Sequence, residues 1–395
     1  MIRATCRVAA REFAALVASP TCLVLALLVP LAYALLFSGI YWNKKVTHVP
    51  LVVVDSDHSA LSRQLLTALQ AGESFRFAGY LDKPEDFLPL AIKGRANVLV
   101  VFPPGMERDV KSGKETKVAV FVDATSILIG NVSIAAASTV FTTYSVGIDA
   151  RKYLLRGMAS PTNVLTVARP ITDEYRLWYN PAFNYNYTNF MLLGLVMIAV
   201  QLLTLLLVAS AGSREHEPGR AAELTRITRR LTPVVFGKPL PYLVIMLPSC
   251  MVALYLPAAL LDVPMLGSPW LLVAFTAWLI ALLTVVGTGV SALVGDALQT
   301  TEVFAVVAMP SYLLSGYTWP TFAMPPGLQV VSYALPLSPY VMAVRRITLQ
   351  NAGPEYLGPQ ILALSIWSGV ALLVGYLGAW RLRRLARRKE ATPSA

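Results

Sequence analysis

The chain has 395 residues, 56% of them hydrophobic and only 14% charged, at a mean hydropathy of +0.59. Soluble domains carry roughly 25% charged residues, so the composition excludes a wholly soluble protein and leaves room for one water-exposed domain. The net charge of +11 does not point to nucleic acid, because the basic residues cluster beside apolar runs and read as topology signals. The three cysteines, Cys6, Cys22 and Cys250, have no metal-site spacing and offer no disulfide framework.

In chain order, Arg3, Arg7 and Arg11 recur every four residues and share a helical face, with Ile2, Ala9, Phe13 and Leu16 placed opposite. Residues 1–20 therefore read as a helix lying in the membrane interface. A signal-peptide n-region is the alternative, but the next run, Thr21 to Trp42, is too long for a signal h-region and lacks a convincing cleavage site. At about 1.5 Å per residue, 21–42 spans a hydrocarbon core of about 30 Å, so it reads as the first transmembrane helix. Pro30 is a kink point, and Tyr41 and Trp42 suit the far interface.

The character changes over 43–187, where acids and bases mix along the chain. The length is that of a common soluble domain. Val49 to Asp55, Phe75 to Leu81, Ala96 to Phe102 and Lys117 to Val122 read as strands. Ser59 to Ala71, Lys83 to Lys93 and Pro103 to Ser112 read as helices, giving a small α/β layer. Thr125 to Arg156 is a long Ala- and Ser-rich helical stretch that packs on the sheet or returns toward the membrane. Asp55, Asp57 and His58 are the only cluster of metal-ligand or acid-base types, and an N-cap before the following helix explains them. No GxSxG, HExxH or CxxC occurs, and Gly237-Lys238 lacks the upstream glycine of a P-loop. No catalytic or metal-binding residue is assigned.

Apolar runs place further transmembrane helices at 188–212, 239–261, 270–294, 302–318 and 359–380, six in all with the first. Pro248 and Pro257 bend the third, and Gly287 and Gly289 permit close contact along the fourth. Between the last two, 319–358 is broken by prolines and reads as a re-entrant, extracytoplasmic segment. The tail, 381–395, is basic.

The polar stretch 213–238 holds six Lys or Arg and three Glu, and its positive excess places it in the cytoplasm. The N-terminal segment and the tail are basic too, so both termini fall inside and 43–187 outside. An ordinary solvated loop explains the same residues as well as a functional one does. As a loop, Glu215, Glu217 and Glu223 would form only exposed ion pairs, worth about 0–1 kcal/mol each.

Three motifs resemble the permease subunits of ABC-2 type exporters, which have the ABCA/ABCG-like membrane fold, over nearly the whole chain. Arg11-Glu12 before a proline-containing first helix resembles that family's interfacial elbow helix, which also takes in Arg3 and Arg7. Arg214, Glu215, Glu217 and Gly219, then Glu223 and Thr232-Pro233, resemble its coupling segment, although Arg220 and Ala222 stand where the family commonly has Thr and Glu. Leu313 to Tyr340, with Ser315, Gly316, Trp319, Pro320, Met324, Pro325 and Pro336, is similar to its exit region and is the most specific match.

The resemblance implies a polytopic α-helical membrane protein with six transmembrane helices, an interfacial helix, a re-entrant segment before the last helix and an inserted α/β extracytoplasmic domain. It further implies a bacterial inner-membrane exporter of amphiphilic drugs, lipids or similar substrates. ATP and Mg would be held by a separate ABC ATPase subunit, with no cofactor on this chain. A second permease copy or paralogue, a periplasmic adaptor protein, an outer-membrane channel and membrane lipids are the implied partners. A membrane-anchored sensor or scaffold is the competing reading, but six spans without a cytoplasmic output domain argue against it. An intramembrane enzyme would need acid-base pairs that Gln201, Asp296 and Glu302 do not form in sequence.

Overall fold

The computed structural model describes residues 1–158, 160–161, 164–165, 187–217 and 219–391. Residues 166–186 of the expected soluble segment, Pro218 of the central loop and 392–395 of the tail lie outside the described residues. The chain divides into two compact units, Met1–Lys44 with Tyr187–Ala395, and Lys45–Asn186.

In the second unit, β1 (Val49–Asp55), β2 (Phe75–Tyr80), β3 (Val98–Phe102) and β4 (Ala119–Val122) form one sheet of order β2-β1-β3-β4. β1 runs parallel to β2 and β3, and β4 is antiparallel to β3. β1 and β3 are buried on both faces, as their continuous Val and Leu runs require. One face packs on α3 (Ala60–Ala71) and the long α6 (Ile127–Leu155), through Leu51, Val53, Leu69, Phe102 and Ala137. The other face, through Val52 and Leu99, meets Phe87 and Leu90 of the short α4 (Phe87–Ile92). Another short helix, α5 (Met106–Lys111), precedes β4.

Asp55 accepts hydrogen bonds from the backbone N–H of Asp57 (3.1 Å) and His58 (2.9 Å) and from the Ser62 hydroxyl (2.7 Å). Ser59 and Ser62 close a capping box on α3. Desolvation pushes the Asp57 carboxyl up. The Ser59 hydroxyl and the backbone N–H groups opening α5 outweigh it and hold the group below the ordinary aspartate value. Asp123 is held low by the Thr125 hydroxyl and backbone N–H. A depressed folded-state pKa gives stability that is complete above the unfolded value, near 3.9, and lost as pH falls through the folded one. Residues 45–186 expressed alone are therefore expected to fold as a soluble mixed α/β unit. Its melting temperature should hold steady from neutral pH to about 5 and fall at lower pH, as followed by circular dichroism.

The first unit is helical: α1 (Ile2–Val17), α2 (Pro20–Ile40), α7 (Tyr187–Ser213), α8 (Arg220–Ile227), α9 (Leu231–Gly237), α10 (Pro239–Leu260), α11 (Pro269–Val294), α12 (Ala297–Leu314), α13 (Pro326–Tyr333), α14 (Leu337–Gln350) and α15 (Gly358–Ala391). Pro30 has no N–H to give Ala26, and α2 absorbs the loss as a π turn over Val24–Leu28. α7 is apolar on every side and buried among α2, α10, α11 and α12.

Among the described residues seven helices, not six, are long and apolar enough to cross a membrane. The additional one is α6, which belongs to the second unit. Its Ala-rich sequence passes on length and mean hydropathy while one face joins the sheet core. Three expected boundaries also move. The span expected at 239–261 starts at Leu231, because α9 runs into α10 and Lys238, between them, is buried rather than a water-facing end. The span expected at 302–318 is Ala297–Leu314, since Asp296 caps its start by accepting from Gln299 N–H at 2.8 Å. The expected tail is mostly the end of α15, a single helix of 34 residues. In 319–358, α13 and α14 meet at 80°, a geometry that suits a broken span or a re-entrant loop.

Small residues set the closest contacts. A Cβ on Gly289 of α11 would lie 2.7 Å from the Val374 carbonyl oxygen of α15, and one on Gly378 would lie 2.7 Å from the Gly289 backbone. On the other side of α11, the Ser291 hydroxyl accepts from the N–H groups of Gly212 (3.1 Å) and Ser213 (2.9 Å) and donates to the Ala209 carbonyl. This clamp fixes the end of α7 where the chain enters the polar stretch.

Candidate functional site

α1 buries Val8, Glu12 and Leu16, each one turn from the next. Of the apolar residues expected opposite the arginines, Leu16 is buried, and Ile2 and Phe13 lie on the protein surface. The helix turns an acid inward because it packs on α9 and the start of α10, where a cation waits. Gly237 permits the approach: a Cβ there would lie 2.8 Å from the Thr5 carbonyl oxygen.

Lys238, 2% exposed, donates to Glu12 Oε2 (2.9 Å), Glu215 Oε1 (2.8 Å) and the Ala211 carbonyl (3.0 Å). Those three acceptors use all three ammonium hydrogens. Glu12 Oε1 accepts from the Tyr242 hydroxyl (2.9 Å) and from Arg214 Nη2 (3.1 Å). Arg214 also donates to the Ser210 carbonyl at 3.2 Å. Arg11 grips Glu215 with both terminal nitrogens (2.6 and 3.1 Å) and reaches Glu223 with Nε at 3.2 Å. Burial alone would lower the pKa of Arg11, but Glu215 and Glu223 outweigh it and raise it.

The cluster thus joins α1, the end of α7, α8 and the α9–α10 junction through three cations and three carboxylates. Buried charges survive only when paired and hydrogen-bonded, and each of these is. The expectation that the loop acids form only exposed pairs is overturned for Glu215, which is 2% exposed. It holds for Glu217, an exposed partner of Arg220 at 3.4 Å, and for the outward side of Glu223. Gly219, at φ +83°, starts α8 in open surroundings. Thr232 accepts from the Tyr376 hydroxyl of α15 at 3.3 Å, and Pro233 is buried in the first turn of α9. Arg3 and Arg7 are exposed on α1, outside the cluster.

Sequence reasoning missed Lys238 and Tyr242. A signal existed: Glu12 is a lone acid on a stripe with Val8 and Leu16, and Lys238 is a lone base between Phe236 and Leu240.

Of the residues expected at an exit, Ser315 to Pro325 lie between α12 and α13, apart from this cluster, and Pro336 stands beyond α13. The Ser315 hydroxyl donates to the Tyr312 carbonyl (2.6 Å) and accepts from Tyr317 N–H (3.2 Å). Gly316 sits at φ +81°, where a Cβ would approach Thr321 Cγ2 to 2.7 Å. A leucine there would strain the turn whatever its effect on transport. Trp319 is exposed and Pro320 leads into a short 3₁₀ turn. Met324 is buried, while Pro325 and Pro336 precede α13 and α14.

The model of the ABC-2 family transporter protein matches residues 21–377. The probable multidrug ABC transporter permease YbhS of Escherichia coli (strain K12) is 23% identical over 393 residues, 98% of this chain and 97% of the relative. The probable multidrug ABC transporter permease YbhR of the same strain is 23% identical over 310 residues, 78% and 80% of the two chains. The inner membrane transport permease YhhJ, also from that strain, is 23% identical over 339 residues, 83% and 84%.

Proposed function

This chain belongs to the ABC-2 family of transporter proteins, and we propose that its buried charge cluster is the joint through which an ATPase moves the membrane helices. The chain is a multi-pass transport permease, and an ABC ATPase subunit is its partner by family. ATP and Mg are held and hydrolysed on that subunit, and substrate leaves the cytoplasm or inner leaflet. The relatives' names, multidrug permease and inner membrane permease, support an amphiphilic cargo and a bacterial inner membrane.

In this reading α2, α7, α9–α10, α11, α12 and α15 cross the membrane, and α13–α14 is re-entrant near the exit. Both termini face the cytoplasm and residues 43–187 lie outside. A second permease copy or paralogue completes the pathway, and an adaptor and outer-membrane channel extend it.

One observation carries the coupling proposal: Glu12, Arg214, Glu215 and Lys238 tie α1, α7 and α10 to the segment that meets the ATPase. A push on α8 is delivered to three membrane elements at once. The outward acids test it. Glu217→Gln with Glu223→Gln breaks the exposed pair with Arg220 and one contact of Arg11, which keeps Glu215, so the amount of protein in the membrane is expected to stay near wild type. Co-purification with the ATPase, or substrate-stimulated ATP hydrolysis, is expected to fall several-fold. If both are unchanged, α8 is not the docking surface. A cysteine at Arg226 is expected to be shielded from an impermeant thiol reagent in intact cells, and one at Lys93 to label after outer-membrane permeabilisation. Labelling at Arg226 from outside would reverse the orientation.

A further inference from the structure

We infer that the end of α15 holds an anionic phospholipid, its phosphate among arginines and an acyl chain in an apolar groove one leaflet deep. Arg226 and Arg229, at the end of α8, face Arg383 and Arg387 of α15 across a cavity of about 450 Å³. Among the described residues no acid lines that cavity, and none of the four arginines has an ion-pair partner. The contrast with the cluster around Lys238 is sharp, because there every cation is matched. Four guanidinium groups lining one cavity call for an anion, and their planar donors suit phosphate oxygens.

The level in the membrane identifies the source. Trp380 is 44% exposed, with the Arg384 guanidinium 3.8 Å over its ring, the arrangement of an interfacial anchor. Arg383 and Arg387 follow within two turns, at headgroup depth. A second cavity, of 250 Å³, is walled by Phe236, Leu240, Leu243, Trp278, Ala371 and Leu372. Leu372, Ala379 and Arg383 share one stripe of α15. From Leu372 to Arg383 is about 16 Å of helix, close to half of a hydrocarbon core of about 30 Å. The basic site and the groove are thus separated by the length of one lipid leaflet. Basic pockets between membrane helices are suited to anionic headgroups in this way. The assignment needs that α15 crosses the bilayer and that the end of α8 lies at its surface, and it does not rest on the coupling proposal.

The test uses the full chain purified in mild detergent. Phosphatidylglycerol, phosphatidylcholine or inorganic phosphate is added, and bound lipid is counted by native mass spectrometry alongside the melting temperature. Phosphatidylglycerol is expected to stay bound and to raise the melting temperature, while phosphatidylcholine and inorganic phosphate do neither. Changing Arg226, Arg229, Arg383 and Arg387 together to Gln is expected to weaken phosphatidylglycerol binding by roughly tenfold or more. The same change at the exposed Arg76, Arg95, Arg151 and Arg156 should leave it unaltered. Ala371→Trp, which fills the groove, is expected to weaken binding of long-chain phosphatidylglycerol but not of a short-chain form. The lipid-free melting temperature of each variant, and an all-Lys version of the quadruple change, separate lost binding from lost folding. Equal protection by inorganic phosphate would make this a free-anion site and overturn the proposal. So would a quadruple variant that binds phosphatidylglycerol normally but no longer co-purifies with the ATPase, since the arginines would then receive an acidic segment of that subunit.

Discussion

Replacing Lys238 with methionine is expected to cost about 3–5 kcal/mol, because it leaves buried carboxylates without their shared cation. Glu12 and Glu215 both point at the Lys238 ammonium, and neither is more than 3% exposed. Glu12 keeps Arg214 and Tyr242, and Glu215 keeps Arg11, so the loss is partial. The amount of folded protein in the membrane is expected to fall steeply, as read by size-exclusion profile and resistance to denaturant. Glu215→Gln should behave similarly, in contrast to the exposed Glu217. Adding Glu12→Gln to Lys238→Met is expected to cost less than the two changes summed, as contacting groups do in a double-mutant cycle. Strict additivity would mean that the lysine and the acid do not interact.

The second large effect is expected at Gly289. A methyl group there meets the Val374 carbonyl at 2.7 Å and the Gly375 Cα at 3.0 Å, and main chain cannot rotate aside as a side chain can. Gly289→Ala is expected to destabilise by about 1–3 kcal/mol through overpacking, and Gly289→Leu to prevent α11 from seating on α15. Gly369, on α15 itself, is the matched control, since nothing lies within 4 Å of a Cβ there. Gly369→Ala is expected to be neutral or to stabilise by up to about 1 kcal/mol, from helix propensity alone. Equal effects at the two glycines, in denaturant midpoints of the purified proteins, would show that the α11–α15 contact is not tight.

How much of this was legible in sequence depended on how local the cause was. The strand at Val49 to Asp55 and the helix after Ser59 follow from alternation, composition and a cap within a few residues. The apolar runs of α7 and α11 are equally plain. The status of Lys238 was not, because its burial is decided by Glu12, 226 positions earlier in the chain. Nothing near Lys238 distinguishes a helix-ending lysine in water from one held by two carboxylates. Glu215 was read as solvated for the same reason: its neighbours are polar, yet Arg11 encloses it from a distant helix. The seventh candidate span has a different cause. Length and mean hydropathy do not separate α6, an Ala-rich helix on a sheet, from a helix in lipid.

The charge balance of the cluster also bears on what energy would move it as the proposed joint. Arg11, Arg214 and Lys238 balance Glu12, Glu215 and Glu223, so the assembly carries no net charge. Moving one elementary charge through the full membrane field involves about 2.3 kcal/mol per 100 mV. An assembly whose charges cancel and travel together exchanges almost none of that work. In the coupling proposal, the resting voltage of the cell would neither assist nor oppose its displacement, and mechanical force from an ATPase partner would set its position.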